Sequence, residues 1–146
     1  MTTKEYLEQI RYMDYAINDM LSERRELREL ATKIGVGEQN PDKVQSSGVN
    51  DKVARIVVKL ADIETELDRR IDEYADLKDR IRAEINELNP NVATILIMRY
   101  VSCENFNTIA KTTKYTWRHV MRLHGQGLAA FERLHGQKYL NISKKY

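Results

Sequence analysis

The chain has 146 residues, of which 32% are charged and 42% apolar, enough for one domain with a thin core or one domain and an arm. One cysteine, Cys103, excludes a disulfide framework and any cysteine-cluster metal site. No apolar run approaches the ~18 residues of a membrane span, and Met1 to Tyr6 lack a signal-peptide core. The expectation is a cytoplasmic protein with no membrane partner.

The net charge of +2 hides an asymmetry. Residues 1–90 hold 15 Lys and Arg against 20 Asp and Glu, whereas residues 91–146 hold 9 against 2. The first part is therefore at −5 and the second at +7. An acidic arm joined to a basic module suggests two tasks on one chain, and a basic module of this size often meets phosphate.

Thr2 and Glu5 have the spacing of a capping box. Tyr6, Ile10, Met13, Ile17, Met20, Leu27, Ala31 and Ile34 then follow steps of four and three, with Leu7, Leu21 and Leu30 widening the stripe. This is a coiled-coil pattern and predicts a helix near 3–34, ended by Gly35 and Gly37. Residues 38–50 are polar and read as a linker. Asn50 is the expected cap of a second helix near 51–88. Its apolar face is Val53, Ile56, Val57, Leu60, Ile63, Leu67, Ile71, Tyr74, Leu77, Ile81, Ile85 and Leu88. Two such helices zip antiparallel, and the apolar surface left over invites a second chain. Residues 1–89 are thus expected to form a helical hairpin that serves as a dimerisation arm, the other reading being a monomeric hairpin folded onto the basic module.

Asn89-Pro90 marks a fresh helix start, with Asn as cap and Pro at the first helical position. A short apolar helix over Val92 to Val101 follows, then a turn, then a very short helix over Phe106 to Lys111 capped by Asn105. After a second turn, Thr116 caps a longer helix beginning at Trp117. This is helix-turn-helix spacing, and residues 90–146 are expected to be a DNA-binding domain. Ala110 is the small residue at the crossing. Val120 and Leu123 face inward, and Phe106, Ile109 and Tyr115 complete a miniature core. The outward face shows Trp117, Arg118, His119, Met121, Arg122 and Gln126, with two guanidiniums and no carboxylate. Arginine takes a guanine edge or a phosphate, and glutamine pairs an adenine edge. Lys111 and Lys114 are placed for the DNA backbone. Trp117 has two readings, a base- or groove-contacting ring and a ring packed on the preceding helix. Gly125 and Gly127 mark a kink or a close helix contact.

His119 and His124 are five apart, off the spacing of helical metal pairs, so no metal is expected. One packed histidine and one facing solvent or phosphate is the simpler reading. Cys103 has no histidine at a motif-like spacing, and no phosphate loop, carboxylate pair or Ser-His-Asp pattern is present. The chain is expected to be neither an enzyme nor a cofactor protein.

The segment Ile95 to Leu134 resembles the DNA-binding region four of sigma-70-like factors. The likeness lies in Met98-Arg99-Tyr100, Thr108-Ile109-Ala110, Trp117-Arg118 and Val120-Met121-Arg122-Leu123-His124-Gly125. More closely, nearly the whole chain is similar to small phage proteins of Gram-positive bacteria related to the ArpU and RinA late transcriptional regulators. Lys4 to Arg11, Asp42 to Gly48 before Asp51-Lys52-Val53, and Arg122 to Gly125 carry that similarity. The resemblance implies a phage-encoded regulator in a bacterial host cell, with double-stranded DNA as ligand, and admits host RNA polymerase as a second partner. By position it maps the recognition residues onto Thr116, Trp117, Arg118, His119, Met121 and Arg122. The chain departs from the pattern where Trp117 and Met121 stand in place of basic residues and where Lys114 stands in place of a turn glycine. The alternative reading is a coiled-coil adaptor or inhibitor that binds a host protein such as RNA polymerase.

Overall fold

The computed structural model describes residues 1–36 and 47–142. Among them the fold is all-α, with a long N-terminal antiparallel helical hairpin and a C-terminal helix-turn-helix module. Its helices are α1 (Thr3–Val36), α2 (Ser47–Asn86), α3 (Pro90–Leu96), α4 (Phe106–Thr113) and α5 (Trp117–His135). A π turn at Ile97–Val101 follows α3, and a 3-10 turn at Gly136–Lys138 follows α5. The hairpin is antiparallel because Tyr6 pairs with Glu84 whereas Arg24 and Arg28 pair with Glu64.

The chain forms two compact units, residues 14–73 and residues 1–13 with 74–146. In the first, Ile17, Ile56 and Leu67 are buried between the two helices. Glu64 accepts from both Arg24 and Arg28, at 3.3 and 2.8 Å. Glu66 is bound by Arg69 and Arg70, which together hold its carboxyl down at about 2. Such exposed pairs are screened by solvent and contribute little to stability. Three sequence expectations change here. Val57 and Ile71 are exposed rather than inward, and so is Leu30, because one partner helix covers only one strip of each surface. Asn50 lies inside α2, which begins at Ser47, so it is not the cap. Gly35 lies within α1. The remainder of the expected linker, together with Gly37, lies outside the described residues.

The second unit holds the main core. Thr2 and Glu5 form the reciprocal capping box: Glu5 N donates to Thr2 Oγ1 at 3.2 Å and Thr2 N to Glu5 Oε2 at 2.8 Å. Behind this cap, Leu7 and Ile10 of α1, Ile81 and Ile85 of α2, Ile95 and Leu96 of α3, and Phe131 of α5 are fully buried. Burying each such side chain is worth roughly 1.5–3 kcal/mol. Leu88 is buried too, but after α2 has ended at Asn86. The Tyr6 ring stacks on Tyr139, 4.5 Å between centroids. Its hydroxyl donates to the buried Glu84 at 3.0 Å, and Lys138 Nζ donates to the other Glu84 oxygen at 3.0 Å. A buried carboxylate needs such partners to offset its desolvation. Burial and the Glu84 charge together push the Tyr6 hydroxyl up to about 12. Thr3 gives its single hydroxyl proton to Glu132 at 2.8 Å, so Tyr139 donates to Thr3 at 2.9 Å.

The Asn89-Pro90 start is as expected, with Asn89 Oδ1 accepting from Asn91 N at 3.1 Å. The helix after it is not one continuous α-helix to Val101. It widens into the π turn, where Ser102 N donates to Ile97 O at 2.9 Å. Helix α3 packs on α5 at Gly127, where a Cβ would meet the Leu96 side chain at 3.1 Å. Gly125 has open space instead. Gly127→Leu should therefore overpack this crossing and lower stability by about 1–3 kcal/mol. Gly125→Ala should raise it by up to about 1 kcal/mol through helix propensity. Urea unfolding followed by circular dichroism checks both signs.

Candidate nucleic-acid interface

Local hydrogen bonds set the module's frame. Asn105 Oδ1 accepts from Thr108 N at 2.8 Å and starts α4. Thr116 Oγ1 accepts from His119 N at 3.1 Å and starts α5. Between them, Lys114 adopts the left-handed conformation, φ 60° and ψ 23°. The chain thus accepts left-handed strain of roughly 1–2 kcal/mol where glycine would be free of it. Tyr115 N, just after this residue, donates to Thr113 Oγ1 at 3.4 Å.

One side of α5 is anchored. Val120, Leu123, His124, Gly127 and Phe131 are buried, with Ile109 of α4 beside them in the same core. His124 is the packed histidine of the pair. Its Nε2 is 2.7 Å from the Tyr100 hydroxyl, and Phe106 meets its ring edge-on at 5.0 Å. The π turn supplies this Tyr100 and also Arg99, whose guanidinium lies 4.3 Å from the Phe106 ring centre and donates to Glu104 O. Burial pushes the Tyr100 hydroxyl up to about 12, with the Glu8 charge adding to it. Burial also pulls the His124 imidazole down, assisted by Arg99 and Lys4.

The opposite side of α5 is open. Arg118, Arg122 and Gln126 are exposed, and His119 and Met121 flank them half-buried. Thr116, Lys111 and Lys114 are exposed at the turn and the end of α4. All nine expected contact residues thus have accessible surface. Trp117 is 57% exposed, so more than half of the residue's surface faces solvent. Tyr115 is 39% exposed, contrary to its expected place in the miniature core. Its ring stands edge-on to His119 at 4.7 Å and joins the open face. The left-handed turn at Lys114 governs which way Tyr115 leaves the backbone, and residue type alone gives no sign of it. Ala110, the expected small residue at the crossing, packs against the core.

The electrostatics of this face come from composition as much as geometry. No Asp or Glu occurs between Asn105 and Phe131. None of Lys111, Lys114, Arg118 and Arg122 is in an ion pair among the described residues. The first turn of α5 adds the positive end of the helix dipole. Four uncompensated cations beside two exposed aromatic rings make a surface chemically fitted to a polyanion with flat bases. No group of metal-ligating side chains is found among the described residues, and no helix there is long and apolar enough to cross a membrane. No protein-family model, no curated protein and no solved structure matches the chain.

The buried His124 generates a pH dependence. Its imidazole is pulled below the ordinary 6.5, so the unfolded chain takes the proton first. The stability contribution is full above that ordinary value and is lost as pH falls through the lowered one. Urea midpoints measured from pH 8 to pH 5 should fall on the acid side. The His124 C2-proton resonance should titrate at lower pH than an exposed imidazole.

Proposed function

We propose that this chain is a transcriptional regulator that binds duplex DNA through α5, of the type of the phage ArpU- and RinA-like proteins. The observation that carries the proposal is the open face of α5, where Arg118 and Arg122 stand one turn apart with no carboxylate paired to them among the described residues. On this reading the N-terminal residues of α5 enter the major groove, Arg118 and Arg122 meet base edges or phosphates, and Lys111 and Lys114 hold the backbone. Trp117 and Tyr115 supply apolar contact to bases, and Gln126 extends the face. The task is binding rather than catalysis, and it places the protein in the cytoplasm of a bacterial host with RNA polymerase as a second partner.

The same reading makes the protein a homodimer through its arm. Among the described residues of 14–73, the buried apolar side chains are Ile17, Ile56 and Leu67, while Val57, Val58 and Ile71 remain exposed. A second arm would cover that apolar surface. Two copies would then meet two half-sites roughly 34 Å apart or a multiple of it.

The test is a fluorescence-anisotropy titration with fragments of the genome that encodes the chain, wild type beside Arg118→Ala and Arg122→Ala. Wild-type affinity should fall with salt, with a logarithmic slope near −0.9 per phosphate neutralised. Arg122→Ala should cost about 1–3 kcal/mol on the preferred fragment if the residue reads a base. If it touches only phosphate, binding should weaken evenly over all fragments and the slope should shrink by about one. Two chains should bind per site. Equal binding by all three proteins at every salt concentration would remove this face from the account. No binding to any fragment at low salt would favour a protein adaptor instead.

A further inference from the structure

Arg122 is not a free arm on the surface. One of its guanidinium nitrogens, Nη2, lies 2.7 Å from His119 Nδ1. The His119 ring is in turn held edge-on by Tyr115, with 4.7 Å between ring centres and 82° between planes. His119 N is fixed by the Thr116 cap, and Tyr115 N by Thr113. The left-handed Lys114 places Tyr115, Tyr115 braces His119, and His119 receives Arg122.

We infer that His119 is the positioning residue that aims Arg122 at a base edge, and that it does so only in its neutral form. The inference rests on the reading of α5 as a DNA-reading helix. A guanidinium has five N–H donors and no acceptor. The short contact therefore requires a lone pair on His119 Nδ1, which places the ring proton on Nε2. One of the five donors is engaged, and those left suffice for the bidentate guanine contact. Holding the side chain beforehand reduces the rotamer freedom that Arg122 would otherwise lose on binding.

Protonation of His119 reverses this. Both ring nitrogens then carry protons, Nδ1 no longer accepts, and two cations stand side by side. The groups facing the imidazole are the Tyr115 ring from the turn and the Arg122 guanidinium of α5, and no carboxylate pairs with it among the described residues. Base reading is lost while the charge available to phosphate rises by one. Acidification should therefore move specific and non-specific binding in opposite directions.

The test compares a preferred duplex with a scrambled duplex of equal length, at fixed salt, from pH 8 to pH 5.5. Wild type, His119→Asn, His119→Ala and Arg122→Ala are titrated as full chains. The wild-type preference should fall about tenfold on acidification, the scale of one bidentate arginine contact, while scrambled binding tightens. His119→Asn retains an acceptor oxygen near the Nδ1 position and cannot be protonated, so its preference should stay high at both ends. His119→Ala should have a low preference at both ends, close to Arg122→Ala. A fall caused by titration of buried His124 would persist in His119→Asn, and that result would overturn the inference. So would a wild-type preference that does not change with pH, or a His119→Ala preference equal to wild type at pH 8. Specific binding that needs Arg122 but ignores His119 would sink the positioning role alone. Absence of all duplex binding would sink the DNA reading and the inference together.

Discussion

Val120, Leu123, Gly127 and Phe131 form a line along one side of α5, and the module depends on that line being covered. The cover is α3, brought close because Gly127 has no side chain against Leu96. Close approach buries Phe131 and draws the following turn in, so that Tyr139 reaches Tyr6 of α1. With α5 held along one side, its other side is left open to solvent. The cations there are consequently presented to solvent on a rigid support, which suits a binding surface better than a loop would.

The polar groups of this unit divide into two kinds. Glu84, Glu132, Thr3, Tyr139 and Tyr6 are satisfied within the protein and tie the first turn of α1 to the residues after α5. Replacing one partner alone would leave a buried group unpaired, which costs more than the pair contributes when complete. Among the described residues, the cations between Lys111 and Arg122 have no such internal partners beyond the His119 contact. Left-handed strain at Lys114 falls within this second stretch, where the turn into α5 is made. Backbone strain of this kind tends to cluster where a site must be held in one geometry.

Legibility in the sequence followed the range of each interaction. The Thr2–Glu5 box and the Asn89, Asn105 and Thr116 caps were readable because each side chain bonds a backbone group no more than three residues away. Val120 and Leu123 were readable from helical period, and so was the shared face of Arg118 and Arg122. What period cannot tell is how much of a stripe finds a partner. Val57 and Ile71 fit the apolar pattern of α2 as well as Leu67 does, yet only Leu67 is buried. The π turn was hidden because its extra residue is set by tertiary demands: Tyr100 must reach His124 while Arg99 covers Phe106. Tyr115 looked like core for its size, and the turn geometry sent it outward. The link from His119 to Arg122 depends on rotamers, which spacing permits but does not dictate.

The central claim is that the open side of α5, and not the arm, meets DNA. Amide resonances of the full chain followed during addition of a bound duplex test it most directly. The account predicts that the largest shifts fall at Lys111, Lys114 and residues 115–122, with Gln126 at the margin, and that residues 47–73 shift little. Shifts concentrated in residues 14–36 or 47–73, with the start of α5 unmoved, would contradict it.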